Sequence, residues 1–260
     1  MSAHDSSGVE IAPSSMQRLV SIARDAGAEI MRWYGSTEAT DKADGSPITA
    51  ADEAAHASIM KALRSWTPAI PIISEEGDIA PAEERRAWRR FWLVDPLDGT
   101  KEFINQNGEF TVNVALIESD EPVLGVVYAP ALDRFWFAGR GLGAWRQSAD
   151  SEAERVYSSR PAPGAALAVV ESRSHPSSRL DEFLATVNVG RRVPSGSSIK
   201  LCLVADGSAD IYPRFGPTME WDVAAGDCVF RCSGRDEPRH SPLTYNKPDL
   251  RNGDFVIGLE

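Results

Sequence analysis

The chain has 260 residues, 42% of them hydrophobic and 25% charged, which excludes a disordered or fibrous protein and leaves one compact unit or two packed halves. Its 27 Lys and Arg against 38 Asp and Glu give a net charge of −11, which argues against a nucleic-acid polymer or an anionic membrane face as partner. Three cysteines argue against a disulfide framework, four scattered histidines (His4, His56, His175, His240) match no zinc spacing, and no apolar run suits a membrane span. The opening MSAHDSSGVE lacks the basic and apolar regions of a secretory leader, so the expected location is the cytoplasm, either free or peripheral at the inner membrane.

Leu19, Ile22, Ala23, Ala26, Ile30 and Tyr34 recur at helical spacing and predict a first helix. Ala50 to Trp66 reads as a second, stopped before Pro68, and Ala69 to Ser74 as a short strand leading into Glu75. The charged run Ala82 to Arg90 is expected to be helical. Phe91 to Val94 reads as a buried strand that Pro96 and Gly99 turn sharply. Phe110 to Glu118, Val123 to Tyr128 and Arg134 to Ala138 predict an antiparallel meander. Gly139 to Gly143 lacks the spacing of a dinucleotide loop and reads as a hairpin turn. Ser158 to Gly164 is the best linker, dividing an α+β half (1–160) from an α/β half (161–260). The second half alternates: strand 166–171, helices near 178–185 and 198–205, strand 209–212, helix 221–232, strand 255–258.

The segment Trp92-Leu93-Val94-Asp95-Pro96-Leu97-Asp98-Gly99-Thr100 carries the most chemistry. It holds two carboxylates and the turn's carbonyls at the carboxyl end of a strand, a set of hard oxygen ligands that suits Mg²⁺. The Gly99 and Thr100 amides, if they open a helix, face an anion. A single acid there would be explained by turn capping, but two acids plus Glu75 at a second strand end fit that explanation poorly. Asp52 with Thr49 reads equally as a capping box, and Asp222 as the negative first turn of a helix.

The stretch Asp95-Pro96-Leu97-Asp98-Gly99-Thr100 resembles the core signature of the inositol monophosphatase superfamily, and FWLVDPLDGTKEFI (91–104) is similar to its branch of 3'(2'),5'-bisphosphate nucleotidases of the bacterial CysQ type. Further matching segments are 42–52, 74–76, 108–113, 212–218 and 221–226. The resemblance implies a layered αβαβα sandwich, α+β in its first half and α/β in its second, with the active site between the halves. It implies two or three Mg²⁺ ions held by Glu75, Asp95, the Leu97 carbonyl, Asp98 and Asp222. It gives catalytic roles to Asp52, Thr100 and Glu75, with Asp52 and Thr100 as a dyad that takes a proton from a metal-bound water. It sets Glu75, Leu97, Asp98, Gly99, Thr100, Gly196, Ser197 and Asp222 against the substrate, and offers Lys42, Lys200 and Arg214 for a second phosphate. Each of these three cations reads equally as a solvated surface charge.

The implied activity is Mg²⁺-dependent hydrolysis of the 3'-phosphate of adenosine 3',5'-bisphosphate to AMP, extending to 3'-phosphoadenylyl sulfate, in the recycling step that accompanies sulfate assimilation. Inhibition by lithium is implied too. Inositol monophosphate or fructose bisphosphate hydrolysis is the alternative within the class. A non-catalytic divalent-metal-binding regulatory module is the alternative outside it. The expected partner is a small nucleotide bisphosphate, and the expected assembly a monomer or homodimer.

Overall fold

Strands buried on both faces give this chain its long unbroken apolar runs, and the helices that cover those faces give it its layers. The computed structural model describes residues 9–35, 40–41, 47–48, 50–149, 151–174 and 177–259. The first elements are α1 (Pro13–Met31), the short strands β1 (Thr40–Asp41) and β2 (Pro47–Ile48), α2 (Ala50–Trp66), β3 (Ile72–Ser74) and α3 (Ala82–Arg85). Next come β4 (Arg90–Asp98), α4 (Thr100–Ile104), β5 (Thr111–Glu118), β6 (Glu121–Ala129), β7 (Arg134–Gly139), β8 (Gly143–Ser148) and β9 (Glu154–Val156). The remainder is β10 (Leu167–Ser172), α5 (Ser178–Leu184), β11 (Val189–Ser195), α6 (Ile199–Ala205), β12 (Tyr212–Arg214), β13 (Thr218–Met219), α7 (Glu220–Arg231), β14 (Arg251–Asn252) and β15 (Phe255–Ile257).

Strands β3 to β9 form one seven-stranded sheet in chain order, antiparallel except for the parallel pair β3 and β4. Alternation splits its core in two. Trp92, Val94, Val112 and Val114 pack with Leu19, Ala23, Ala55 and Ile59 of α1 and α2. Phe91, Leu93, Ala115 and Ile117 pack with Leu201, Val204, Cys228 and Val229 of α6 and α7. A second sheet pairs β10 with β11 and β12 with β15, joined by a bridge between Val169 and Ile211. Its outer face packs Leu167, Val169 and Ile211 against Phe183 and Leu184 at the end of α5. The order helix, sheet, helix, sheet, helix is the layered α+β sandwich that the resemblance implies. No helix among the described residues is long and apolar enough to cross a membrane.

Several elements differ from expectation: β8, β9, β13 and β14 lie where no strand was expected, and β12 spans Tyr212–Arg214 rather than 209–212. The strand at Phe91 does not stop at Val94 but runs to Asp98, with a bulge between the Asp95–Asn113 and Asp98–Thr111 pairs. Pro96, which has no N–H to donate, is tolerated at such a bulge. The charged helix ends at Arg85 rather than Arg90. Arg85 is buried and donates to the Ala80, Lys247 and Pro248 carbonyls, after which the chain must turn into β4. Strand β11 lies where no element was expected. The 158–164 linker is tied down: Ser159 Oγ donates to Asp210 (2.6 Å), and Arg239 Nη1 donates to the Ser159 carbonyl (2.7 Å).

Candidate active site

The parallel register of Ser74 with Val94 brings the ends of β3 and β4 together. The Glu75 N–H donates to the Val94 carbonyl at 3.1 Å, so Glu75 and Asp95 emerge side by side. Asp95 is 1% exposed, and its Oδ1 accepts the Leu97 N–H at 3.1 Å across the bulge. Gly99 then adopts φ 89°, a conformation that favours glycine, and α4 starts at Thr100. The Thr100 hydroxyl donates to the Leu97 carbonyl at 3.4 Å.

Asp222 arrives from much later in the chain, in the first turn of α7, where its Oδ2 accepts the Met219 N–H at 2.8 Å. Helix capping and site formation are thus the same geometry here. One carboxylate oxygen from each of Glu75, Asp95 and Asp222 lies within 4.8 Å of the others. Asp98 sits beside them, its Oδ2 accepting the Ser197 hydroxyl at 2.9 Å and the Asn113 amide at 3.4 Å. Asp52, 1% exposed in the first turn of α2, is close enough for its charge to act on Asp95.

Burial, followed by the charges of Glu75, Asp98, Asp222 and Asp52, pushes Asp95 well above the ordinary carboxylate range. Burial and then Asp98 raise Asp222 likewise, opposed by the Met219 N–H. Converging oxygen-only donors that repel one another when ionised fit a hard divalent cation, and the absence of nitrogen or sulfur from the set disfavours zinc.

The cluster opens into a cavity of about 340 Å³ whose lining also includes Lys200 and Arg214. Lys200 is buried, lies 5.7 Å from the Tyr212 ring centre and donates to the Ser197 carbonyl at 2.6 Å. Burial pulls its pKa down to about 8, with Asp98 opposing the shift. Arg214 donates to the Pro217 carbonyl at 3.1 Å, and its Nε is buried without a hydrogen-bond partner among the described residues.

Of the residues expected to touch substrate, Glu75, Leu97, Asp98, Gly99, Thr100, Ser197, Lys200, Arg214 and Asp222 line this cavity. Gly196 lies behind the wall: its N–H donates to Glu109 at 2.8 Å, and a Cβ there would come within 2.7 Å of the Glu109 carbonyl. Lys42, and the Thr49 partner of the capping box, fall outside the described residues. Three participants were given no role in the site by the sequence. Glu109 is held by Arg173 through two bonds of 2.7 Å, and Asn113 and Ser198 bond to each other at 2.9 Å. The signal for Asn113 was available, because Thr111 and Asn113 form a polar pair two apart in an otherwise apolar buried strand.

The model of the inositol monophosphatase family matches residues 13–249. The 3'(2'),5'-bisphosphate nucleotidase CysQ of Escherichia coli K12 is 48% identical over 251 residues, covering 94% of this chain and 99% of that one. The Haemophilus influenzae protein of the same name is 32% identical, covering 93% and 91%. Among solved structures, CysQ from Bacteroides thetaiotaomicron superposes with a TM-score of 0.77 at 40% identity, over 94% of this chain and 96% of the other. The chain belongs to the inositol monophosphatase family.

Proposed function

We propose that this chain is a Mg²⁺-dependent 3'(2'),5'-bisphosphate nucleotidase that removes the 3'-phosphate of adenosine 3',5'-bisphosphate, giving AMP and phosphate. The sulfated form of that nucleotide is its second substrate, and clearing the by-product of sulfate assimilation its role. One observation carries the reading. One cavity is lined by a cluster of carboxylates and by two cations, Lys200 and Arg214. A substrate with two phosphates uses both the carboxylate cluster and the cations, whereas an inositol monophosphate leaves the cations unused; fructose bisphosphate meets the same condition, and the choice between it and the nucleotide rests on the relatives. The identity to the nucleotidases named CysQ supports the same choice.

Glu75, Asp95, the Leu97 carbonyl, Asp98 and Asp222 would hold the ions, from the half 1–160 except for Asp222, which comes from 161–260. Bound Mg²⁺ supplies charge to the phosphate oxygens and lowers the pKa of a water. Two or three ions are in keeping with this number of ligands. Thr100 would orient that water and Asp52 would take up its proton, the threonine hydroxyl being too weak a base to do so itself. The five-residue α4 adds little dipole, so the charge of the second phosphate falls to Lys200 and Arg214.

Phosphate release from adenosine 3',5'-bisphosphate, its sulfated form, inositol monophosphate and fructose bisphosphate tests the reading. The two nucleotides should turn over fastest. A preference for inositol monophosphate or fructose bisphosphate would overturn it.

A further inference from the structure

Asn113 is 1% exposed on β5, directly opposite Asp95 in the register with β4. A buried amide must satisfy two N–H groups and one carbonyl, and here every group has a partner. The Thr111 hydroxyl donates to Asn113 Oδ1 at 2.9 Å, and the Asp98 carboxylate, which only accepts, fixes the Nδ2 end toward the site. Nδ2 then donates to Asp98 Oδ2 at 3.4 Å and to Ser198 Oγ at 2.9 Å. Ser198 in turn donates its single proton to the backbone carbonyl of Asp222. Asp98 Oδ2 receives a second donor, Ser197 Oγ, at 2.9 Å.

One side chain therefore ties the acid on the β4 bulge to the acid that opens α7. These two residues are 124 positions apart in the numbering, 222 minus 98, and come from opposite halves. Ser197 accepts φ 52°, a left-handed conformation unusual for serine. Its Oγ there reaches Asp98 and also accepts the Ser198 N–H at 2.5 Å. A residue held in that region costs about 1–3 kcal/mol and persists where its surroundings over-determine it.

We propose that Asn113 is a positioning residue that holds Asp98 directly and the start of α7 through Ser198 in one ligand set, with Ser197 as a second donor to Asp98. The inference rests on the reading of these acids as ligands of Mg²⁺. A ligating carboxylate needs its remaining lone pairs bonded if its orientation is to be set before the ion arrives, and loss of such a partner typically weakens metal binding ~10–100-fold. A merely structural asparagine would move the melting temperature and leave the affinity alone.

The test is calorimetric titration of Mg²⁺ into the metal-stripped full chain, alongside melting in chelator, for the wild type, Asn113→Ala, Ser198→Ala and Asp95→Asn. Asn113→Ala should bind Mg²⁺ between about 10-fold and 100-fold more weakly. Ser198→Ala, which cuts only the arm to Asp222, should show a smaller loss, and it decides the matter if Asn113→Ala does not melt cooperatively. Folded variants of both kinds that bind Mg²⁺ like the wild type would overturn the inference. If Asp95→Asn also binds like the wild type, the metal reading itself fails and the inference falls with it.

Discussion

Glu75 and Asp95 lie side by side because their strands run parallel, with Ser74 paired to Val94 and the Glu75 N–H bonded to the Val94 carbonyl at 3.1 Å. In an otherwise antiparallel sheet, this one parallel pair sets two carboxyl-terminal ends together. Asp222 completes the triad by capping α7. Backbone pairing sets Glu75 beside Asp95 and the Met219 N–H holds Asp222 close to them, and a cation relieves the repulsion among the three.

Asp95→Asn should therefore abolish turnover while leaving the fold intact. The loss should be at least ~10²–10³-fold, the scale of removing one electrostatic contact to a transition state. In chelator the variant should melt higher than the wild type, because a buried repelled charge is gone. Phosphate release and melting curves check both parts, and near-normal activity would contradict the assignment.

Stability without metal should depend on pH in a definite direction. Asp95 and Asp222 are raised by burial, by Glu75 and by Asp98, so the folded chain holds protons that the unfolded chain has released. Their contribution is thus fully present below the ordinary carboxylate range and is lost as pH rises through the raised folded values. The melting difference between Asp95→Asn and wild type in chelator should grow with pH above that range and shrink when Mg²⁺ is added. Mg²⁺ binding should also release protons. A difference constant across pH would count against it.

Thr100→Ala should lower kcat about 10²–10⁴-fold while changing Mg²⁺ affinity little, the range for an oriented base. Asp52→Asn should lose as much, and the double variant little more than either, because the two act as a unit. If Asp52 only caps α2, its loss instead costs ~1 kcal/mol of stability with kcat unchanged. Measuring kcat and melting temperature for all three variants separates these outcomes.

Lys200→Met and Arg214→Met should each raise KM for adenosine 3',5'-bisphosphate by roughly 10–100-fold, from the ~1.5–3 kcal/mol of a hydrogen bond to a charged group. A substrate with a single phosphate should notice little. Since burial holds Lys200 at about 8, its cation is present below that pH and lost above it, so the wild-type KM for the bisphosphate should rise as pH passes 8. In Lys200→Met that rise should disappear.

Much of the site was readable where local pattern and chemistry coincide. The helix at Ala50–Trp66, the start of α7 near Asp222, and the acids of the Asp95 turn all follow from periodicity, capping and spacing. What the sequence hid is long-range or irregular. Strand β11 reads VGRRVPS, exposed along most of its length and carrying Pro194 beside its last residue, so nothing local marks it as a strand. The bulge at Pro96 looks like a strand end until the pairing with β5 is known. The bracket formed by Asn113, Ser197 and Ser198 depends on a contact across 85 positions, which no window on the chain contains.

The most direct test of the central claim is the initial rate of phosphate release from adenosine 3',5'-bisphosphate by chelator-stripped protein as Mg²⁺ is restored. The account predicts no release without the ion, a saturable rise with it, and almost none at any Mg²⁺ concentration for Asp95→Asn. Release that is independent of Mg²⁺, or that survives in Asp95→Asn, would contradict it.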